Sequence, residues 1–181
     1  MENYEADDVI GTIAKQAEKE GFTVYMVTPD KDFGQLVSEN IYLYKPSRSG
    51  GGVEIQGIKE ICEKWDIKNV DQVVDILGLQ GDSVDNIPGI PGIGPKTAAK
   101  LLHQFGTMEE ILKNTDQLKG KQREKVETFA EQGLLSKKLA RVDINAPIKF
   151  DATQFRIDPM DKEKLGNIFK ELEFRTLASQ I

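Results

Sequence analysis

One cysteine (Cys62), one histidine (His103) and one tryptophan (Trp65) stand among the 181 residues. A lone cysteine excludes an internal disulfide framework and a cysteine-rich zinc site. A lone histidine argues against histidine-based zinc chemistry and against a Ser-His-Asp triad. No apolar run approaches the ~18 residues of a membrane span, and no signal-peptide pattern opens the chain. A cytoplasmic setting with no membrane partner is therefore expected. What remains for chemistry is carboxylates, lysines and backbone amides. The length allows one domain, or a domain with a helical appendage, and about 70% of the unfolded surface can be buried at this size. The content is 39% hydrophobic and 30% charged, ordinary for a soluble globular protein.

The net charge is −6, which would argue against a nucleic-acid partner if it were spread evenly. It is not. Residues 1–92 carry 8 Lys and Arg against 17 Asp and Glu, residues 93–125 carry 7 against 4, and residues 126–181 carry 9 of each. An acidic stretch followed at once by a basic one suggests a cation-gathering site beside an anion-holding one. Uneven charge on a solvated surface is the plainer alternative.

Ala6–Lys19 reads as a helix, with Val9, Ile10, Ile13, Ala14 and Ala17 at three- and four-residue spacing and Gly21 as its stop. Phe22–Thr28 is a nearly continuous run of β-formers, the pattern of a parallel strand covered on both faces. A short helix is expected over Asp32–Leu36, a second strand over Ile41–Tyr44, a mobile loop over residues 45–52 and a third strand over Val53–Ile55. Ile58, Ile61, Cys62 and Trp65 give the next helix one apolar face. From there the chain turns helical. Helices are expected over Val70–Leu79, Lys96–Phe105, Gln122–Glu131, Leu134–Arg141 and Lys162–Glu173, with Thr107 and Glu110 as a capping box for a short helix between them. The fold class is α/β, a Rossmann-like sheet followed by an all-helical region. The border falls near residue 80 and gives domains 1–80 and 81–181. Trp65, Cys62 and the phenylalanines are assigned to the core, and His103 to the surface.

Three acidic groups stand out: Glu5, Asp7 and Asp8; Asp30 and Asp32; Asp82 and Asp85. Asp30 and Asp32 follow the apolar strand, where ligands of open α/β sheets sit, and an extended i, i+2 pair projects to one side. Glu5 and Asp8 share one face of a first helical turn, and a turn at Gly81 could fold Asp82 and Asp85 toward the others. Each group alone has an ordinary structural explanation in capping or turn chemistry. Together they form a hard oxygen set suited to Mg²⁺ or Mn²⁺, and two such ions ~3.5–4 Å apart serve phosphodiester hydrolysis. No side chain stands out as a general base. Lys31, between two of these aspartates, reads as pointing outward without a role.

The most specific stretch is Ile87–Leu102, with Gly92-Ile93-Gly94-Pro95-Lys96-Thr97 at its centre. Two helices flank this glycine corner as a helix-hairpin-helix. Gly92 and Gly94 permit positive φ and close approach of backbone amides to an anion. Pro95 fixes the helix start, whose free amides face a phosphate. Lys96 and Lys100 add cations on adjacent turns. Contacts of this kind hold a nucleic-acid backbone and read no bases.

Tyr4-Glu5-Ala6-Asp7-Asp8, Thr28-Pro29-Asp30-Lys31-Asp32, Gly81–Gly89 and Gly92–Ala98, in that order, resemble successive motifs of the 5′ nuclease domain of bacterial DNA polymerase I, related to flap endonucleases. The resemblance runs from residue 4 to about 177. It implies a PIN/5′ nuclease-like fold and a metal-dependent 5′→3′ exonuclease and 5′-flap endonuclease. The substrate implied is DNA with a 5′ flap or a nicked duplex, met in primer removal and repair beside the polymerase domains of a parent chain. By motif, Glu5 and Asp7 would serve a first metal with Asp8 beside them. Asp30, Asp32, Asp82 and Asp85 would serve a second. Gly92, Ile93, Gly94, Lys96, Thr97 and Lys100 would hold the duplex, and the hairpin carbonyls K⁺.

Members of that family begin with a strand bearing an early metal-binding aspartate, followed by a second strand-end aspartate and a basic helical arch. This sequence starts three residues before the Tyr-Glu-Ala-Asp-Asp motif. The expectations that follow are a sheet incomplete at its N-terminal strands, weak or no nuclease activity, and self-association through exposed sheet edges. Two other readings make different predictions. A haloacid-dehalogenase-type phosphatase would use Asp30-Lys31-Asp32 and Gly81-Asp82 and release phosphate from a small phosphoester. A non-catalytic helix-hairpin-helix module would bind DNA and take up no Mn²⁺.

Overall fold

The computed structural model describes residues 2–46 and 52–181. Most of the loop expected over residues 45–52 lies outside the described residues, although Lys45 and Pro46 extend the second strand. Two compact units divide the chain, Met1–Phe150 and Asp151–Ile181.

Helix α1 (Ala6–Lys19) forms where its apolar spacing predicts and ends at Glu20, before Gly21 turns the chain at φ 86°. Strand β1 (Val24–Val27) follows, then a 3-10 turn (Asp32–Leu36), β2 (Ile41–Pro46) and β3 (Val53–Gln56). The sheet order is β1-β2-β3. β1 and β2 are parallel, with Val24 opposite Ile41, and β3 runs antiparallel to β2. Met26, Ile41 and Leu43 enter the core from one face of this sheet.

The expectation that β1 is covered on both faces does not hold. Tyr25 and Val27, on the opposite side, are 50% and 67% exposed. Tyr25 stacks on Tyr42 at 5.5 Å and meets Tyr44 edge-on, so the β-formers of this face make an aromatic ladder in place of a second buried layer.

Helix α2 (Ile58–Trp65) buries Ile61 and ends at Asp66 in the left-handed region, φ 53°. Helix α3 (Gln72–Gln80) is apolar on nearly every side: Val73, Ile76, Leu77 and Leu79 are almost wholly buried. Such a helix belongs in a core, and each of these side chains contributes about 1.5–3 kcal/mol by leaving water. Around it pack α4 (Pro95–Phe105), α5 (Met108–Lys113) and α7 (Ala130–Leu139). The Thr107 hydroxyl accepts the Glu110 amide at 3.2 Å, capping α5 as expected. Helix α6 (Gly120–Thr128) gives way to α7 at Phe129, not between Glu131 and Leu134. Gly133 is no breaker: a Cβ there would lie 2.4 Å from Met108 and 2.9 Å from Ile90, so close packing explains it.

Two of the polar side chains that α3 carries inward are satisfied, whereas Gln80 Oε1, at its end, is buried without a hydrogen bond. Gln72 accepts the Lys68 amide at 2.8 Å and donates to the Gly106 carbonyl at 2.6 Å. Asp75 accepts the Met108 amide at 2.9 Å and pairs with Lys137 at 2.6 Å, and Lys137 reaches Glu109 at 2.8 Å. On α1, Thr12 and Gln16 bind the extended segment ahead of Phe150. Thr12 accepts the Ala146 amide, while Gln16 donates to the Ile148 carbonyl and accepts the Phe150 amide.

The second unit holds α8 (Lys162–Glu171), capped by Asp161, and α9 (Arg175–Ala178), with Phe169 and Phe174 in contact. Placing every phenylalanine in the core is corrected here: Phe33 is buried, but Phe22, Phe155 and Phe174 are about half exposed. Phe155 and Phe174 belong to a unit too small to enclose them. Phe22 lies at the rim, edge-on to Phe150. Cys62 and Trp65 are half-buried against the core, and His103 is exposed and 3.0 Å from Asp66.

Candidate metal centre and nucleic-acid interface

β1 delivers the chain into a turn built from its own side chains. The Thr28 hydroxyl accepts the Asp30 amide at 3.1 Å, and Asp30 Oδ1 accepts the Asp32 amide at 2.9 Å. Asp30 is thereby engaged at the exposed rim while Asp32 turns inward and is buried.

The second segment arrives from the end of α3. Gly81 (φ 76°) and Gly89 (φ 61°) lie against each other at the neck of a loop. A Cβ on Gly81 would fall 2.5 Å from the Ile87 carbonyl oxygen, and one on Gly89 would fall 2.2 Å from the Gly81 nitrogen. Asp82 and Ile87 exchange backbone hydrogen bonds across that neck. Ser136 accepts the Gly89 amide and Gln132 donates to the Gly89 carbonyl, which fasten the neck to α7. Asp82 is buried at the neck and accepts the Val84 amide at 2.9 Å, whereas Asp85 is exposed at the tip.

Asp32, Asp82 and Asp85 each place a carboxylate oxygen within 4.8 Å of the others. Asp32 is only 9% exposed, and its Oδ1 is buried without a hydrogen bond. An orphaned carboxylate oxygen facing two other carboxylates fits a hard divalent cation. Burial, reinforced by Asp30, Asp82 and Asp85, raises the Asp32 pKa to about 6 although Lys31 opposes the rise. Asp82 moves the other way. Burial raises it, but hydrogen bonds from Lys31 and the Val84 amide outweigh that and hold it below the ordinary carboxylate range.

Lys31 was expected to point outward. Instead its ammonium is hydrogen-bonded to Asp82 and lies 3.9 Å from Asp32. The sequence offered a cation between two aspartates as a signal, but its long-range partner was not visible there.

The acidic start of α1 divides. Asp7 borders the group: burial first, then Asp30, Glu5, Asp8 and Asp85, push its pKa up. Asp8 is occupied elsewhere. One of its oxygens accepts the Glu5 amide at 3.0 Å, and the other accepts the Asp143 amide at 2.8 Å. With Thr12 and Gln16 it forms an i, i+4, i+8 polar stripe that holds the 143–150 segment. Glu5 supplies the position before α1.

Beyond the loop the chain passes the hairpin into α4. Gly92 has φ 83°, but Gly94 is extended at φ −92°, so only the first uses a glycine's conformational freedom. Gly94 matters for space: a Cβ there would meet nothing within 4 Å, which leaves the α4 N-terminus approachable. Ile93 is buried at 4% exposure and its amide donates to the Ile90 carbonyl at 3.0 Å, so it anchors the hairpin from within. Lys96 and Lys100 are exposed and Thr97 is half-buried. Lys125 of α6 was missed: its ammonium lies over the hairpin, where a Cβ on Gly92 would collide with it. The run of positive charge over residues 93–125 was the available signal. An open cleft of about 540 Å³ is lined by Asp82, Asn86 and Pro95, and so runs from one of the three carboxylates to the start of α4.

Residues 68–163 match the family model of the 5′-3′ exonuclease C-terminal SAM fold, and residues 1–70 that of the 5′-3′ exonuclease N-terminal resolvase-like domain. The chain belongs to the 5′-3′ exonuclease family. DNA polymerase I of Bacillus subtilis is 41% identical over 182 residues, covering 100% of this chain and 21% of that protein. DNA polymerase I of Thermus aquaticus is 42% identical over 177 residues, covering 98% and 20%. The chain thus spans about a fifth of the length of the curated relatives it matches. Among solved structures, T5 5′-exonuclease with bound divalent zinc superposes with a TM-score of 0.69 at 22% identity, over 79% of this chain and 52% of that one. The catalytic core of Rad2 in complex with DNA substrate gives 0.60 at 15%, over 89% and 55%. These structures share the fold, an α/β sheet followed by helices. Family membership displaces the phosphatase reading, which also required a strand before Asp82 where α3 stands. Among the described residues no helix is long and apolar enough to cross a membrane.

Proposed function

We propose that this chain is part of a metal-dependent 5′→3′ exonuclease and 5′-flap endonuclease acting on DNA with a 5′ flap or nick. Its parent chain would carry polymerase domains, in the cytoplasm at the nucleoid. The observation that carries the reading is the meeting of Asp32 with Asp82 and Asp85, from segments some fifty residues apart, around an orphaned buried oxygen.

In this reading Asp32, Asp82 and Asp85 hold one divalent cation, Mg²⁺ or Mn²⁺. Glu5, Asp7 and Asp30 border a second position, with Asp8 fixing the geometry of that edge. When bound, such cations activate a water for attack on a phosphodiester and stabilise the leaving oxygen. The residues of the chain bind and orient. Residues 1–80 supply the α/β nuclease portion, and residues 81–181 the helical duplex-binding region. The amides at Gly92 and Gly94, held in place by the buried Ile93 between them, the α4 N-terminus with Thr97, and the ammonium groups of Lys96 and Lys100 grip the backbone phosphates of the downstream duplex. K⁺ on the hairpin carbonyls would strengthen that grip. No group here reads a base, so recognition is of a flap or nick and not of a sequence. Among the described residues β1 pairs with β2 alone, and its other side offers an edge for self-association.

Mn²⁺ titration followed by electron paramagnetic resonance, with fluorescence anisotropy on a 5′-flap duplex, tests the reading. Binding of Mn²⁺ that Asp82→Asn weakens at least ~10-fold is expected, together with salt-sensitive flap binding that Lys96→Ala weakens. Cleavage by these 181 residues alone is expected to be slow, because among the described residues one group of three carboxylates converges. Absence of Mn²⁺ binding would remove the reading.

A further inference from the structure

The carboxylate centre contains a cation of its own. Lys31 reaches in from the turn after β1, its ammonium hydrogen-bonded to Asp82 Oδ2 and 3.9 Å from Asp32 Oδ1. The Asp82 side chain is 3% exposed and that of Asp32 12%, whereas Lys31 keeps 39% of its surface in water. The ammonium therefore sits at the mouth of a buried anionic site, on a flexible stem that can swing back to solvent.

We propose that Lys31 is a tethered placeholder for the divalent cation: it neutralises the centre when no metal is bound and must withdraw from Asp82 for metal to enter. The proposal rests on the metal reading given above. Three features support it. One positive charge cannot satisfy three carboxylates, and the Asp32 Oδ1 atom is left without a hydrogen bond even with Lys31 in place. A divalent ion at the same point would face all three oxygens, so it displaces the weaker cation. The Asp82 oxygen bound by Lys31 belongs to the carboxylate that shares the centre with Asp32 and Asp85, so ammonium and metal compete for one acceptor.

Competition of this kind lowers apparent metal affinity by the fraction of time the site is open. If the ammonium occupies the centre nine-tenths of the time, removing it tightens metal binding about tenfold. Lys31 would then keep the site from holding metal too tightly while preventing three uncompensated carboxylates from repelling one another.

The test compares the full 181-residue chain with Lys31→Met and Lys31→Arg, using Mn²⁺ titration by electron paramagnetic resonance and thermal melting in EDTA and in Mn²⁺. Lys31→Met should bind Mn²⁺ about tenfold more tightly. It should melt lower than the parent chain in EDTA and show a larger rise on adding Mn²⁺. Lys31→Arg, which keeps a competing cation, should stay near the parent in both. If Lys31→Met is unfolded in EDTA, Mn²⁺ should restore its far-ultraviolet circular dichroism, and failure to do so overturns the proposal. Equal or weaker Mn²⁺ binding by Lys31→Met overturns it while leaving the metal reading intact. No Mn²⁺ binding by any of the three proteins overturns both.

Discussion

Helix α3 carries buried charge at two places, and the two are handled in opposite ways. At its middle, Asp75 meets Lys137 and the Met108 amide, and Lys137 continues to Glu109, so every charge has a partner. Just beyond its end, Asp82 joins Asp32 and Asp85 with one lysine among three carboxylates, and an Asp32 oxygen has no hydrogen bond. Burial alone does not separate the two, since Asp75 and Asp82 are 4% and 5% exposed. Balance does. A matched buried cluster locks helices together. An unmatched one is a cost that the fold keeps for a ligand to relieve.

The largest effect should come from breaking the matched cluster. Lys137→Met leaves Asp75 buried and unpaired and should cost about 3–5 kcal/mol, measured by urea unfolding in EDTA. In a variant that remains folded, Mn²⁺ affinity should be unchanged, and a loss of affinity would erase the contrast between the two sites.

Next comes pH. In the unfolded chain Asp32 releases its proton near 3.8, and in the folded chain at about 6. Between those values the folded state holds a proton that the unfolded state has lost, so metal-free stability should fall as pH rises through that window and stay low above it. The fall should reach roughly 2–3 kcal/mol. Asp32→Asn should flatten the profile, be more stable than the parent at pH 7 in EDTA, and lose Mn²⁺ binding.

Asp82→Asn has the opposite sign. The folded pKa of Asp82 is lowered, so its contribution is present above 3.8 and disappears as pH falls through the folded value. Removing the charge frees Lys31 and should cost about 1–2 kcal/mol at pH 7, read by the same unfolding curves. Glu109→Gln, at the exposed rim of the matched cluster, should cost least, below about 1 kcal/mol.

Much of this architecture is legible in the sequence because it is written locally. The α1 spacing, the capping of α5 by Thr107, the placement of Asp30 and Asp32 after β1, and the glycine corner before Pro95 all depend on residues a few positions apart. What was not legible depends on distance along the chain. Asp8 read as a neighbour of the ligands, and its partner, the Asp143 amide 135 positions away, was not visible from the sequence. Lys31 needed Asp82 and Lys125 needed Gly92 to acquire meaning. The boundary between α6 and α7 was set a few residues late because sequence shows the missing side chain of Gly133 and not the Met108 methyl that fills its place. The open face of β1 was misjudged because tyrosine and valine favour strands on either kind of surface.

The pinched neck between Gly81 and Gly89 has a consequence for how this segment tolerates change. At those two positions the backbones are too close for even a methyl group, and both adopt dihedrals that side chains resist. Two and three residues on from Gly81, Ser83 and Val84 stand in open solvent, Val84 at 85% exposure. Random substitution across residues 81–89 should therefore yield a sharply two-valued map, forbidding at the stem and permissive at the crown. Libraries meant to alter which ion the centre prefers belong around Asp85, where the chain can vary without losing its shape.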